Sequence, residues 1–190
     1  SWGVYTYGNN ANPVIDNCTI SGNSEYGVYA NNNSAPTISS STISGNSGVG
    51  IYVSYYGAAT IASTTISNNS SYGIYGGYNS GDITISGSTI SGNSGNGIYI
   101  NYSRGDVTIS GTTISGNSGD GIRRYNVSYG SYSGDITIAS TTISNNSNHG
   151  IYSEYSGDII VSDSTISNNS NRGIYSYYSR DITVSDSAIS

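Results

Sequence analysis

Residues 89–100 read Thr89-Ile90-Ser91-Gly92-Asn93-Ser94-Gly95-Asn96-Gly97-Ile98-Tyr99-Ile100, and this stretch decides the fold because the chain repeats it from end to end. Its central isoleucine recurs as Ile20, Ile43, Ile66, Ile90, Ile114, Ile143, Ile166 and Ile189, at successive spacings of 23, 23, 24, 24, 29, 23 and 23 residues. A period of this kind marks a solenoid, in which each repeat buries its apolar face against its neighbours. A glycine keeps the same phase: Gly3, Gly27, Gly50, Gly73, Gly97, Gly121, Gly150 and Gly173.

Each repeat holds three short alternating segments, as in Gly73-Ile74-Tyr75, Asp82-Ile83-Thr84-Ile85 and Thr89-Ile90-Ser91. Apolar residues two apart face one side of a strand. The alphabet agrees. The chain lacks Lys, Leu, Gln, Met and Phe and carries 20 Tyr, with Ile and Val supplying nearly all the aliphatic area. Such residues suit a pleated surface rather than a helix. We therefore expect an all-β parallel β-helix of about eight coils of 23–24 residues, forming one domain over 1–190 and a rod roughly 40 Å long at about 4.8 Å per coil. The one long repeat predicts an inserted loop at 123–134 in the sixth coil, and such loops often mark a binding face.

Two columns follow Thr-Ile-Ser. Gly22, Gly45, Asn68, Gly92, Gly116, Asn145 and Asn168 are residue types that enter left-handed backbone cheaply. Asn23, Asn46, Asn69, Asn93, Asn117, Asn146 and Asn169 form an unbroken column, predicting an internal ladder of stacked amides. On these residues the chain resembles the right-handed parallel β-helix proteins of the pectate-lyase-like superfamily, over nearly its whole length. The resemblance, with the general preference for right-handed crossovers, sets the expected hand. It also implies an activity to be weighed, since many such proteins cleave acidic polysaccharides, their lyases using calcium-binding acidic clusters beside a basic residue.

Asp82, Asp106, Asp135, Asp158 and Asp181 form an acidic column whose neighbours would lie roughly 5 Å apart, near the carboxylate separation of a retaining glycosidase. Calcium could relieve their repulsion. One residue type in five successive coils marks a structural position, however, and Gly-Asp before a strand fits a turn in which the side chain bonds local backbone. Asp120, His149 and Arg172 share one position in consecutive coils, beside Arg123 and Arg124, and could perform acid–base work. That column also holds Tyr26, Val49, Tyr72 and Asn96, which reads as a variable, exposed turn with surface charge pairs. We expect no catalytic residues and no metal.

Tyr5, Tyr29, Tyr52, Tyr75, Tyr99, Tyr152 and Tyr175 form an outward stripe interrupted at Arg123, and more tyrosines cluster in the adjoining loop: Tyr55, Tyr56, Tyr78, Tyr102, Tyr125, Tyr129, Tyr132, Tyr155, Tyr177 and Tyr178. Exposed amphipathic rings favour interfaces, so Arg123, Arg124 and these tyrosines are the candidate carbohydrate or assembly face. Glycosylation acceptors are Asn17, Asn32, Asn68, Asn101, Asn126, Asn145 and Asn168. Thr and Ser flank the central isoleucines from Thr42/Ser44 to Thr165/Ser167, a hydroxyl array like that of ice-binding solenoids.

A net charge of −6 with five Arg leaves no footprint for nucleic acid, and no apolar run is long enough to span a membrane. Cys18, the sole cysteine, replaces Ser or Thr in its column and reads as an isosteric substitution. The chain begins and ends inside the repeat, and an uncapped stack is a template for further strands. The expectation drawn from this is a glycosylated extracellular or surface fibre or adhesin stalk, self-associating head to tail. The alternatives are a polysaccharide-binding or polysaccharide-cleaving module and an ice-binding solenoid.

Overall fold

The computed structural model describes residues 1–9, 11–126 and 133–190. Among them the chain forms 24 short strands in three eight-stranded sheets, every neighbouring pair parallel and one coil apart. The first sheet carries the Gly-Ile-Tyr strands, such as Ile74–Gly77; the second carries Ile83–Ser86 and its equivalents; the third carries Thr89–Ser91 and its equivalents. Like residues pair throughout, as Ile74 with Ile98, Ile85 with Ile109 and Ile90 with Ile114. Alternation then sends the isoleucines inward into one continuous core that includes Ile38, Ile61, Ile85, Ile109 and Ile138 from the second sheet alone.

A parallel stack leaves the N–H and C=O groups at each corner without a strand partner, and buried groups of this kind must be satisfied. All three corners solve this with a side-chain ladder. After the third sheet runs the expected asparagine ladder: the Asn93 Nδ2 donates to Asn117 Oδ1 at 3.0 Å, and the Asn93 backbone N–H donates to the same oxygen at 3.1 Å. The residue before each asparagine is left-handed, from Gly22 (φ 68°) to Asn168 (φ 55°). Between the second and third sheets runs a hydroxyl ladder. Ser88 Oγ accepts the Thr64 N–H at 3.1 Å and donates to the Ser86 carbonyl at 2.8 Å. Cys18 joins it as a hydroxyl would, its thiol donating to the Asp16 carbonyl at 3.2 Å.

Between the first and second sheets the ladder is acidic. Asp82 Oδ1 accepts the Asp106 N–H at 2.9 Å, Asp106 that of Asp135 at 2.8 Å, and Asp135 that of Asp158 at 2.8 Å. The expected bond to local backbone is thus replaced by one to the next coil. The carboxylates remain at least partly exposed to water. The expected loop at 123–134 starts later than its predicted boundary. Arg123 and Arg124 lie in the strand Ile122–Tyr125, in register with Tyr99–Ile100 and Tyr152–Ser153. Tyr129 and the rest of 127–132 lie outside the described residues.

Candidate functional site

The chemistry-bearing side chains gather on the outer face of the first sheet and the turn that follows it. Along the sheet, in-register pairing places each tyrosine one coil above the last, so the rings meet face to face. Tyr29 and Tyr52 stack at 4.8 Å and 8°, Tyr52 and Tyr75 at 4.9 Å and 22°, and Tyr75 and Tyr99 at 5.4 Å and 28°. Trp2 extends the column at its start, 4.6 Å from Tyr5, and Tyr26 and Tyr72 lie against Tyr52 and Tyr99 edge-on. Arg123 fills the gap in the stripe with a planar cation, its Cζ 6.0 Å from the Tyr99 ring and 4.3 Å from the Tyr152 ring. The stripe then resumes, Tyr152 to Tyr175 at 5.3 Å, with Arg172 4.8 Å from the Tyr175 ring. Mutual stacking covers the rings to the point that Tyr52 is buried although it points outward. Burial pushes the Tyr99 hydroxyl up to about 12 against the opposing pull of Arg123. Burial and the carboxylate of Glu154, which accepts the Tyr152 hydroxyl at 2.6 Å, push Tyr152 up to about 12.

Asp120, His149 and Arg172 are neighbours, as their shared column requires, but the turn they occupy is not exposed at its centre: Asp120 and His149 are buried. The reason is a fourth, shorter ladder. Asn96 Oδ1 accepts the Asp120 N–H at 2.7 Å, Asp120 Oδ1 the His149 N–H at 2.9 Å, and His149 Nδ1 the Arg172 N–H at 3.3 Å. The other Asp120 oxygen takes the Arg123 guanidinium at 3.3 Å. The imidazole stacks on Tyr175 at 5.3 Å, burial lowers its pKa against the opposing pull of Asp120, and Nδ1 is committed as an acceptor. Such a group is poorly placed to take a proton from a ligand.

Arg124 leaves the candidate face. Strand alternation turns it inward, and it is 1% exposed, in a column that holds Ile100 on one side and Ser153 on the other. Its guanidinium donates to Ser133 Oγ at 3.0 Å and to the carbonyls of Gly105, Ser103 and Asp135 at 2.9, 3.3 and 3.4 Å. Burial lowers its pKa to about 10, with Asp106 and Asp135 acting in the opposite direction. Arg124 therefore knits the corner on which the long coil is built. Arg124→Ala is expected to cost about 2 kcal/mol in urea unfolding, through the cavity and the unpaired carbonyls; an unchanged midpoint would refute this role.

The turn after the first sheet holds a feature that the repeat reading passed over. Its first position is left-handed in coil after coil: Gly8 (φ 99°), Asn32 (55°), Tyr55 (48°), Tyr78 (52°), Tyr102 (52°), Tyr155 (53°) and Tyr178 (51°). Glycine and asparagine are expected there, whereas a bulky aromatic residue with positive φ is an outlier that costs about 1 kcal/mol or more. The alignment of Gly8 and Asn32 with five tyrosines was the available signal. Tyr55 and Tyr78 stack at 5.6 Å and 7°, as do Tyr155 and Tyr178 at 5.2 Å and 10°. These rings, unlike those of the sheet stripe, are well exposed at Tyr55, Tyr78, Tyr102 and Tyr178.

The acceptor asparagines are scattered. Asn17, Asn68, Asn145 and Asn168 are exposed, Asn32 and Asn101 half-buried, and Asn126 buried. Among the described residues no three His, Cys, Asp or Glu side chains converge as a metal site, and no helix is long and apolar enough to cross a membrane.

The sequence profile of the right handed beta helix region family matches residues 2–131 and 126–190, and the chain belongs to that family. The right-handed parallel β-helix expected from the resemblance is thus shown. A search of curated protein sequences finds no match. Among solved structures, the periplasmic alginate epimerase AlgG is similar at a TM-score of 0.80 and 16% identity, covering 98% of this chain and 47% of its own. The Azotobacter vinelandii mannuronan C-5 epimerase AlgE6 A-module follows at 0.71 and 16%, covering 98% and 54%. Pectate lyase Pel9A gives 0.53 and 16%, covering 85% and 55%. The chain thus spans about half the length of each. These likenesses correct the expectation of a structural fibre or adhesin stalk. These three structural neighbours are polysaccharide epimerases and a lyase, which favours the alternative of a polysaccharide module over a fibre.

Proposed function

We propose that this chain is a polysaccharide-binding β-helix module that lays an extended glycan along the tyrosine-rich side of the rod. The observation that carries the reading is the exposed left-handed tyrosine column beside the sheet stripe. Core packing gives no reason for rings there, whereas sugars stack on aromatic faces and hydrogen-bond to phenolic hydroxyls. The polysaccharide substrates of its structural neighbours, alginate, mannuronan and pectate, support the ligand class. Binding is preferred to cleavage because Asp120 commits one carboxylate oxygen to the turn ladder and the other to Arg123, while His149 Nδ1 accepts the Arg172 N–H. An extracellular or cell-surface location belongs to the same proposal, in keeping with the periplasmic epimerase among those neighbours.

Affinity electrophoresis tests this directly, in gels containing alginate, polygalacturonate, mannan or a β-glucan. Retardation by at least one polymer is expected, and free migration in all of them would refute the proposal. Replacing Tyr78 and Tyr102 together by Asn, which tolerates their backbone conformation, should weaken retardation about tenfold.

A further inference from the structure

The two tyrosine columns do not begin at the same coil, and the offset leaves an opening. In the turn column, Asn32 stands where Tyr55 stands one coil later. Among the described residues Tyr55 therefore has a stacked ring partner on one side only, Tyr78. On its other side lies a cavity of about 240 Å³ lined by Tyr7, Asn31, Asn32 and Tyr55. Tyr7 and Tyr55 are 62% and 51% exposed, so both rings have area to cover. Asn31 is held in place by the bond from its Nδ2 to the Tyr29 hydroxyl at 3.0 Å.

We propose that this cavity is a subsite for one neutral pyranose residue of the bound glycan; the inference rests on the polysaccharide-binding reading above. Its volume suits a single sugar ring, and its walls pair aromatic surface with amides that donate to and accept from hydroxyls. Charge selects the class of sugar. The four lining residues are two tyrosines and two asparagines, with no carboxylate, Lys, Arg or His among them, and residues 1–103 contain no Lys or Arg while holding Asp16, Glu25 and Asp82. A uronate carboxylate would meet no cationic side chain in this half of the rod. The four exposed or half-exposed arginines, Arg104, Arg123, Arg172 and Arg180, all lie in the other half. The strained backbone at Tyr55 accords with selection for the ring, since Asn or Gly would fold there more easily.

That strain supplies the test. Tyr55→Asn copies the residue of the preceding coil and relieves the left-handed tyrosine, so folding should not suffer. Isothermal titration with mannohexaose, cellohexaose, oligomannuronate and oligogalacturonate is run on wild type, Tyr55→Asn and Tyr7→Ala, with thermal unfolding and intact mass on the same samples. A neutral hexaose is expected to bind more tightly than either uronate. Both variants should weaken it at least tenfold, with the unfolding midpoint of Tyr55→Asn no lower than that of wild type. Unchanged affinity in both variants, or preference for a uronate, would overturn the subsite while leaving the wider reading intact. No binding in these titrations and no retardation in any polymer gel would overturn both. A lower midpoint with unchanged affinity would assign Tyr55 to packing. Extra mass traced to a glycan on Asn32 would show the cavity filled covalently and would also overturn the proposal.

Discussion

Asn93→Asp is expected to remove about 5 kcal/mol of stability at neutral pH, a loss comparable to the whole stability of many domains. Asn93 is fully buried, and its amide is saturated. Nδ2 donates to Asn117 Oδ1 at 3.0 Å and to the Ile66 carbonyl at 3.3 Å, while Oδ1 accepts from the Asn69 N–H at 3.1 Å and the Asn69 Nδ2 at 3.0 Å. A carboxylate would point an oxygen at two acceptors and bury a charge with no cation beside it. The new carboxyl should therefore hold its proton well above the usual carboxylate range in the folded state. The sign follows from proton counting. Between the unfolded pKa near 4 and the raised folded value, the native state binds more protons, so stability falls by about 1.4 kcal/mol per pH unit as pH rises. Below pH 4 the protonated acid can donate to Asn117 and most of the loss should return. Urea unfolding of wild type, Asn93→Asp and Asn93→Ala at pH 4 and pH 7.5 checks this. An equal deficit for the aspartate variant at both pH values would show that lost ladder bonds, not charge, dominate.

Gly97→Ala is expected to cost about 3 kcal/mol, at the upper end for one added methyl. The glycine column was legible as a phase marker, but its cause is spatial rather than conformational, since Gly97 does not have a positive φ. A Cβ there would lie 2.7 Å from the Gly121 carbonyl oxygen, 2.7 Å from Ile114 Cγ2 and 3.0 Å from Asn117 Nδ2. None of these atoms can retreat: one is backbone in the next coil, one is core, and one belongs to the asparagine ladder. Gly116 provides the contrast. It is left-handed at φ 64°, and an added Cβ would meet nothing within 4 Å. Gly116→Ala should cost only about 1 kcal/mol, and Gly116→Asn close to nothing. Thermal unfolding of the three variants ranks them, and equal losses at Gly97 and Gly116 would contradict the spatial account.

Periodicity made the solenoid, the asparagine ladder and the left-handed corner before it readable, because each repeats one residue type for one local reason. The site was less legible. Arg124 read as a surface cation because Arg and exposure usually go together; only the two-residue alternation from Ile122 argued otherwise, and the core at that corner happens to offer enough carbonyls to hold it. Asp120 and His149 read as exposed because their column is variable. Asn, Asp and His share, however, the one property the turn needs, an acceptor for the N–H of the next coil. The stripe at Tyr29 to Tyr175 lies on the outer face, but ring-on-ring stacking, invisible in single residues, withdraws most of its faces from solvent. The better-exposed tyrosines sit one turn further on, where steric rules alone predict glycine or asparagine.

The acidic ladder has a consequence for how this architecture changes over time. Asp106 bonds the Asp135 N–H across a separation of 29 residues with the same 2.8 Å contact that Asp135 makes across 23. The clamp reads where the next strand begins and is blind to how much chain intervenes. Length at this corner is therefore decoupled from the pitch of the stack, and lengthening a flexible loop carries only a slowly rising entropic cost, about 0.6 kcal/mol per doubling. Insertions can accumulate at this corner while the coils above and below keep their register.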